Sequence, residues 1–282
     1  MTLVNDIYIN VRAAFRIFKF FVVIMMFFVR AMIITLTTTD PVQRRKKLIR
    51  NGSNTSRNCV KAFNVEVICK NMIPEEESSL LVGNHIGFID IVALQALRDA
   101  VFITSLEMKA TPVLGQIADL GGCAYVDRKS RMSIQDELKG LTDVLKQNFR
   151  VVLYAESVAS NGEQVLPFKK TLMTSAGLAG KPIRPFVFNF VKVNGGPVLY
   201  EHRDSLCWYG DNNFFSAIWL SMKLDSVGCE IEFLPLIHPA PEEDRTSLSQ
   251  RVHSAVSAKY KPFHPNMNLK PSLEPNRNLS TV

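Results

Sequence analysis

The chain has 282 residues, 47% hydrophobic and 21% charged, with a formal net charge of +7. That is enough for one sizeable α/β domain plus an appendage, and the basic balance fits an anionic membrane face or acidic ligands. No zinc-finger, RNP or similar signature supports nucleic acid, and the five scattered cysteines (Cys59, Cys69, Cys123, Cys207 and Cys229) include no C-x2-C, so reduced thiols in a cytoplasmic setting fit better than a metal site or a disulfide framework.

Residues 1–50 differ from the rest. Residues 20–29 are an unbroken apolar run, Arg30 interrupts it, and residues 31–36 are mostly apolar again. A membrane span needs about 20 apolar residues, and a cation within it is costly unless it snorkels. Both flanks are basic: Arg12, Arg16 and Lys19 before, Arg44 to Lys47 after. If positive flanks stay cytoplasmic, both ends lie on one side. This favours a re-entrant or in-plane helical hairpin over a clean span, with a buried soluble helix as the alternative. No A-x-A-like site follows, as a secretory signal requires. Residues 51–58, NGSNTSRN, read as a polar linker.

Residues 63–68 alternate like a half-exposed strand. Pro74 and Glu75-Glu76-Glu77 mark a turn, the acidic run reading as a solvated loop. Leu80-Leu81-Val82 then reads as a buried strand, broken by Gly83 and Asn84. His85 follows, and Asp90 stands five residues on, where Phe88, Ile91, Val92 and Leu94 begin a helical spacing. In open α/β sheets, ligands bind at this edge, outside the carboxyl ends of strands. A histidine takes and returns a proton near neutrality, and a carboxylate on one ring nitrogen leaves the other as a base. No G-x-S-x-G serine accompanies the pair, so the nucleophile expected is a hydroxyl on the substrate. A buried histidine beside an Asp helix cap is the alternative reading of the spacing alone.

Further strands are expected at 101–104, 124–126, 151–154, 183–193 and 229–234, and helices at 131–149, 214–224 and 243–260. Ile134, Leu138, Leu141 and Leu145 form a packing stripe, and Phe214, Phe215, Ile218 and Trp219 make an apolar side suited to the core, with acyl-chain contact as the alternative. Pro182 and Pro185 at the entry of 183–193 suggest an edge or a strand start. Residues 198–200 are a candidate pairing partner for that strand. From Lys261 onward Pro, Asn and Ser dominate, as in a mobile tail. The alternation gives an α/β fold class: a single domain with a mostly parallel central sheet flanked by helices, plus an N-terminal membrane-associated helical segment. The expected divisions are 1–50, 51–240 and 241–282.

Asn84-His85-Ile86-Gly87-Phe88-Ile89-Asp90 resembles the N-H-x4-D block of the glycerolipid acyltransferases. Residues 122–128, an aromatic and then Arg128, resemble the family's second block. Tyr154-Ala155-Glu156-Ser157 resembles the third, usually F-P-E-G-T, with Ser157 and Val158 in place of its glycine and threonine. Arg184-Pro185-Phe186-Val187 resembles the proline-centred fourth. Lys109 and the P-x-x-G of Pro112 to Gly115 also match. The resemblance implies transfer of a fatty acyl group from acyl-CoA or acyl-carrier protein to a lysolipid hydroxyl at the cytoplasmic face of a membrane, with no metal or bound cofactor. His85 is then the general base, Asp90 its orienter, and backbone N–H groups of the His85 turn candidates for holding the oxyanion. Arg128 is assigned to the acceptor phosphate, with Glu156, Ser157, Lys169, Asn84 and Pro185 as further substrate-binding candidates. A surface role for Arg128, and a solvated helix start for Lys169 and Lys170, are the alternatives. The expected acceptor is 1-acylglycerol-3-phosphate. The stretch from Ser160 to Lys169 also looks like bacterial members acting on lyso-ornithine lipids, a non-phosphate acceptor. An inactive membrane-bound lipid-binding protein is the reading from another class.

Overall fold

The structure is a computed structural model that describes residues 3–126, 134–210, 214–240 and 242–264. Two long helices come first, α1 (Leu3–Thr37) and α2 (Pro41–Ala62). Asp40 caps α2, its carboxylate accepting from the Gln43 N–H at 2.7 Å, with proline at the first helical position. The chain continues through β1 (Val65–Lys70), β2 (Leu80–Gly83), α3 (Phe88–Leu97), β3 (Val101–Ser105), α4 (Leu106–Lys109), α5 (Leu114–Leu120), β4 (Ala124–Val126) and α6 (Ile134–Lys146). Then come β5 (Val151–Tyr154), α7 (Ser175–Leu178), β6 (Ile183–Val193), α8 (Arg203–Leu206), α9 (Phe214–Lys223), β7 (Val227–Phe233) and α10 (Arg245–Ser257).

The described strands form one sheet in the order β1-β7-β6-β2-β5-β3-β4. Only β6 and β7 pair antiparallel. The mixed α/β fold with its mostly parallel sheet is therefore the one expected. Parallel strands covered on both faces read as continuous apolar runs. In β2, Leu81 packs toward α3, α9 and Ala13 of α1, whereas Leu80 and Val82 pack toward α6 and α10. Thus β2 is central and covered, and its carboxyl end opens at one edge of the sheet.

The helix α1 lies along the domain. Ala13, Phe27 and Ala31 are buried beneath it, and Phe20 meets Phe63 edge-on at 5.3 Å. Arg12 pairs with Asp225, and Arg16 donates to the Met222 and Asp225 carbonyls at 3.1 and 2.9 Å. The outward face is also apolar: Val11, Phe15, Phe18, Phe21, Met25, Val29, Met32 and Leu36 are exposed.

Four expectations are corrected. Residues 51–58 are not a linker; they lie inside α2, with Asn51, Gly52, Ser53, Thr55 and Ser56 buried. These small residues let α2 approach its neighbours: a Cβ on Gly52 would stand 2.5 Å from the Gln95 amide. Two of their side chains find partners across the contact, Asn51 on the Phe27 carbonyl at 3.1 Å and Ser56 on Gln95 at 3.2 Å, whereas the buried Ser53 hydroxyl has none among the described residues. Glu77 is not simply solvated; Arg184 grips it through two nitrogens at 3.0 and 2.5 Å. Burial opposes ionisation there, but Arg184 and Ser79 hold this carboxyl below its ordinary value. Pro182 and Pro185 do mark the start of β6, but not an edge: Pro185 sits in an interior strand, opposite Val82 of β2. Its nitrogen faces the β7 side, where pairing ends at Phe186–Phe233, and its carbonyl accepts from Leu234 at 2.8 Å. No ladder donor is missed. Residues 198–200 do not join β6; Leu199 bridges His264 instead.

Candidate active site

The site begins where β2 must end. A Cβ on Gly83 would stand 2.6 Å from the Phe186 ring and carbonyl, so glycine alone fits beside β6. Asn84 then continues the ladder with its side chain, donating to the Phe188 carbonyl at 2.9 Å and accepting the Phe188 N–H at 2.8 Å. This amide is buried and committed to the sheet. It is thus corrected from a substrate group to an anchor for the turn.

His85 follows on that anchor. Its Nδ1 is 3.0 Å from Asp90 Oδ1 and 3.1 Å from Oδ2. Asp90 stands in the first turn of α3, 1% exposed, where the helix dipole favours a carboxylate. Its Oδ2 also accepts the N–H groups of Ile86 and Gly87, at 2.6 and 2.9 Å. One carboxylate therefore shapes the loop and holds the imidazole. A carboxylate at Nδ1 keeps the proton there, which leaves Nε2 as the nitrogen that takes one.

Glu156 closes the other side. Its Oε1 accepts the His85 N–H at 2.7 Å and its Oε2 the Leu166 N–H at 2.9 Å. Burial pushes this carboxyl up to about 8, against the pull of those two N–H groups. Glu156 is 3% exposed, so it braces the turn instead of meeting an acceptor hydroxyl. The N–H groups of residues 85, 86 and 87 all have carboxyl oxygens as acceptors, which corrects the expectation that they hold an oxyanion. The Ser160 N–H donates to the His85 carbonyl at 2.8 Å, and the Trp208 N–H to that of Ile86 at 3.0 Å. The turn is held from three directions.

Tyr154 was the feature sequence reasoning passed over. Its ring stacks under His85, centroids 4.3 Å apart and planes at 21°. An aromatic face beneath an imidazole stabilises its cationic form. Burial, and next the Asp90 charge, push the Tyr154 phenol well above its ordinary value. The signal was present in the third block, where tyrosine stands for the usual aromatic just ahead of Glu156.

The remaining expected residues are placed as follows. Ser157 turns back from β5 with φ 65°, its N–H donating to the Tyr154 carbonyl at 3.0 Å. Lys169 binds the Ala155 carbonyl through its backbone at 2.8 Å and its side chain is exposed. Pro185 is buried within β6 and offers the site no polar group. Arg128 lies outside the described residues; β4, which precedes it, runs parallel to β3 toward the His85 edge.

Residues 64–189 match the acyltransferase family. This chain carries an acyltransferase-family domain. The 1-acyl-sn-glycerol-3-phosphate acyltransferase of Neisseria gonorrhoeae is 26% identical over 186 residues, 66% of this chain and 71% of that protein. The lyso-ornithine lipid O-acyltransferase of Brucella abortus is 28% identical over 186 residues, 64% of this chain and 70% of that one. The crystal structure of the 1-acyl-sn-glycerophosphate acyltransferase of Thermotoga maritima superposes with a TM-score of 0.66 at 16% identity, covering 90% of this chain and 95% of that chain. The likeness is one of fold, over nine-tenths of this chain. The matched region thus has a buried carboxylate, an imidazole held by it, and no serine or cysteine in the turn.

Proposed function

We propose that this acyltransferase moves a fatty acyl group from an acyl thioester, acyl-CoA or acyl-carrier protein, to the free hydroxyl of 1-acylglycerol-3-phosphate, giving phosphatidate. The observation that carries this reading is His85 Nδ1 held 3.0 Å from the buried Asp90 at the carboxyl edge of the central strand. Nε2 takes the proton of the acceptor hydroxyl as its oxygen attacks the thioester carbonyl. The tetrahedral intermediate collapses, the C–S bond breaks, and the thiolate leaves with the proton returned from the imidazolium. No metal or bound cofactor enters these steps. Arg128 and the exposed Lys169 are the groups we assign to the acceptor phosphate, Arg128 because a guanidinium fork makes two charge-assisted bonds at once. The apolar outward face of α1 supports an enzyme seated in the plane of a membrane, and the basic flanks support its cytoplasmic face.

A second acceptor, a lyso-ornithine lipid without phosphate, is favoured by the substituted third block, Ser157 and Val158. Acceptor competition with the purified protein tests both. Lysophosphatidate and a lyso-ornithine lipid are offered together, with acyl-CoA and acyl-carrier protein in parallel. Preferential consumption of lysophosphatidate supports the first reading. Preference for the other acceptor overturns it. An Arg128→Ala loss confined to the phosphate acceptor supports the role given to that residue.

A further inference from the structure

Two oddities of the sequence have no part in the site described above. One is Arg30, a cation inside an apolar helix. The other is Arg44-Arg45-Lys46-Lys47, which occupies the first two turns of α2. The dipole is positive at that end, so four cations there are unfavourable by themselves.

In the folded chain Arg30, Lys46 and Lys47 line one space. A cavity of about 700 Å³ opens between the C-terminal half of α1, α2, and the loops that lead into β2, β3 and β5. It lies at the opposite end of the strands from His85. Ile33, Ile34 and Phe149 supply apolar wall, and Arg30, Lys46 and Lys47 stand among the polar lining. Three carboxylates also line the cavity: Glu77 is held by Arg184 and Asp99 by Arg50, while the Glu75 carboxylate has no ion-pair partner among the described residues. Arg50 pairs with Asp99 at 3.0 Å, and Arg150 donates to the Pro74 and Asp99 carbonyls at 2.9 and 3.0 Å. Among the described residues Lys47 donates only to the Thr38 hydroxyl, at 3.0 Å. Among the described residues, no carboxylate pairs with Arg30, Lys46 or Lys47. The cavity is of ordinary ligand size. A second groove, about 330 Å³, runs along the outward face of α1 between Phe21, Met25 and Val29, and Arg30 lines both spaces.

We propose that this cavity binds an anionic phospholipid of the bilayer. Its phosphate is held by Arg30, Lys46 and Lys47, and its acyl chains follow the groove past Met25 and Phe21. A free phosphate would meet the cations and leave the adjoining apolar groove unused. An amphiphile meets both, and Arg30 stands at the junction of its two parts. The bound lipid fixes α1 and α2 against the membrane at the sheet edge remote from the dyad. This goes beyond the acceptor site, since no residue of the His85 turn takes part.

The test uses the full-length chain in detergent, equilibrated with phosphatidylglycerol, and native mass spectrometry to count retained lipid. Four proteins are compared. Arg30→Gln/Lys46→Gln/Lys47→Gln removes the cations. Ile34→Trp fills the cavity and keeps every charge. Lys19→Gln/Lys61→Gln/Lys139→Gln removes as many exposed cations away from the cavity. Near a membrane surface each cation is worth roughly 5-fold, so three together are worth on the order of 10²-fold in retention. The expected result is retained lipid in the wild type and the distant triple variant, and its loss from the two cavity variants. All four should keep turnover on a soluble short-chain acceptor, which shows that they are folded. Equal loss in the distant variant makes the attraction diffuse and overturns the proposal. Retention in Ile34→Trp places the lipid elsewhere and also overturns it. Displacement by inorganic phosphate in excess reduces the site to an anion site and overturns the lipid.

Discussion

In the β2–α3 turn the backbone N–H groups of His85, Ile86 and Gly87 all find carboxyl oxygens as acceptors within the chain. The outward face of α1 is the reverse case, with Phe18 and Phe21 63% and 59% exposed and the whole stripe left to whatever surrounds it. The turn is complete without its substrate, and the helix is complete only against another phase. A catalytic base needs the first condition, because its geometry must exist before the acceptor arrives. A membrane seat needs the second, because the surface unfavourable in water is the one that the bilayer rewards.

Changes that leave the turn standing and remove only its chemistry test this most severely. Asp90→Asn is the sharpest. An amide oxygen can still accept from Ile86 and Gly87, so the loop should hold. The amide NH2 then faces Nδ1 and donates to it, which moves the imidazole proton to Nε2, the nitrogen needed as base. Turnover should fall on the order of 10²- to 10⁴-fold, with thermal unfolding little changed. His85→Ala should lose about 10²-fold or more. Near-wild-type turnover in either purified variant would discard His85 as the base.

For the helix, the corresponding change is Phe21→Glu on the outward face. It removes an apolar contact worth about 1.5–3 kcal/mol with the bilayer and adds a charge. Partition onto vesicles should drop roughly 10- to 150-fold or more, while turnover on a soluble short-chain acceptor stays. Unchanged vesicle binding means that α1 does not meet the membrane by this face. Cutting the chain at residue 50 would be a poorer test, since that point falls within α2 and exposes core.

Glu156 separates bracing from substrate contact. Its carboxyl ionises near 4.5 when unfolded and is raised to about 8 in the folded chain. The folded state therefore holds this proton more tightly. The stabilisation is full below about pH 4.5 and is lost as pH rises through about 8. Glu156→Gln cannot ionise, and its NH2 group faces one of two backbone donors. It should lower Tm at the acid end of that window, and the gap to wild type should narrow toward pH 8. A change in KM for the acceptor with no such narrowing would return Glu156 to the substrate.

The contrast also explains what could be read from sequence. His85 and Asp90 are five residues apart, and a local spacing across a strand–helix boundary is visible in a single chain. The brace is not: Glu156 meets the His85 N–H across 71 positions, and Asn84 meets Phe188 across 104. The resemblance of their blocks points both to substrate, because nothing local shows where such a group finds its partner. The misread linker failed likewise. Asn, Gly, Ser and Thr favour turns by themselves, but in α2 their small size permits close packing against Gln95 and Phe27, and tertiary contact outweighs propensity. The central strands β2 and β5, by contrast, are legible locally, since burial on both faces leaves uninterrupted apolar runs, and β1 shows itself by alternation.

The smallest effect concerns Ser157, where the third block departs from its usual glycine. The residue has φ 65°, in the left-handed region that glycine enters freely and other residues enter at a cost of about 1–2 kcal/mol. Its backbone N–H closes the turn on Tyr154, directly before the brace, so the conformation is imposed by the site and not by the side chain. Ser157→Gly should relieve that cost. Against it stands the greater freedom of glycine in the unfolded chain, about 0.4–1 kcal/mol. The net expectation is a gain of a few tenths to about 1 kcal/mol in denaturant unfolding, with Glu156 and Tyr154 left in place. If the serine hydroxyl touches no acceptor, turnover on lysophosphatidate and on a lyso-ornithine lipid should rise or fall together. A variant that is stabilised yet shifts its preference between those two acceptors would make Ser157 a specificity residue, and the strained turn would then be part of how the acceptor is chosen.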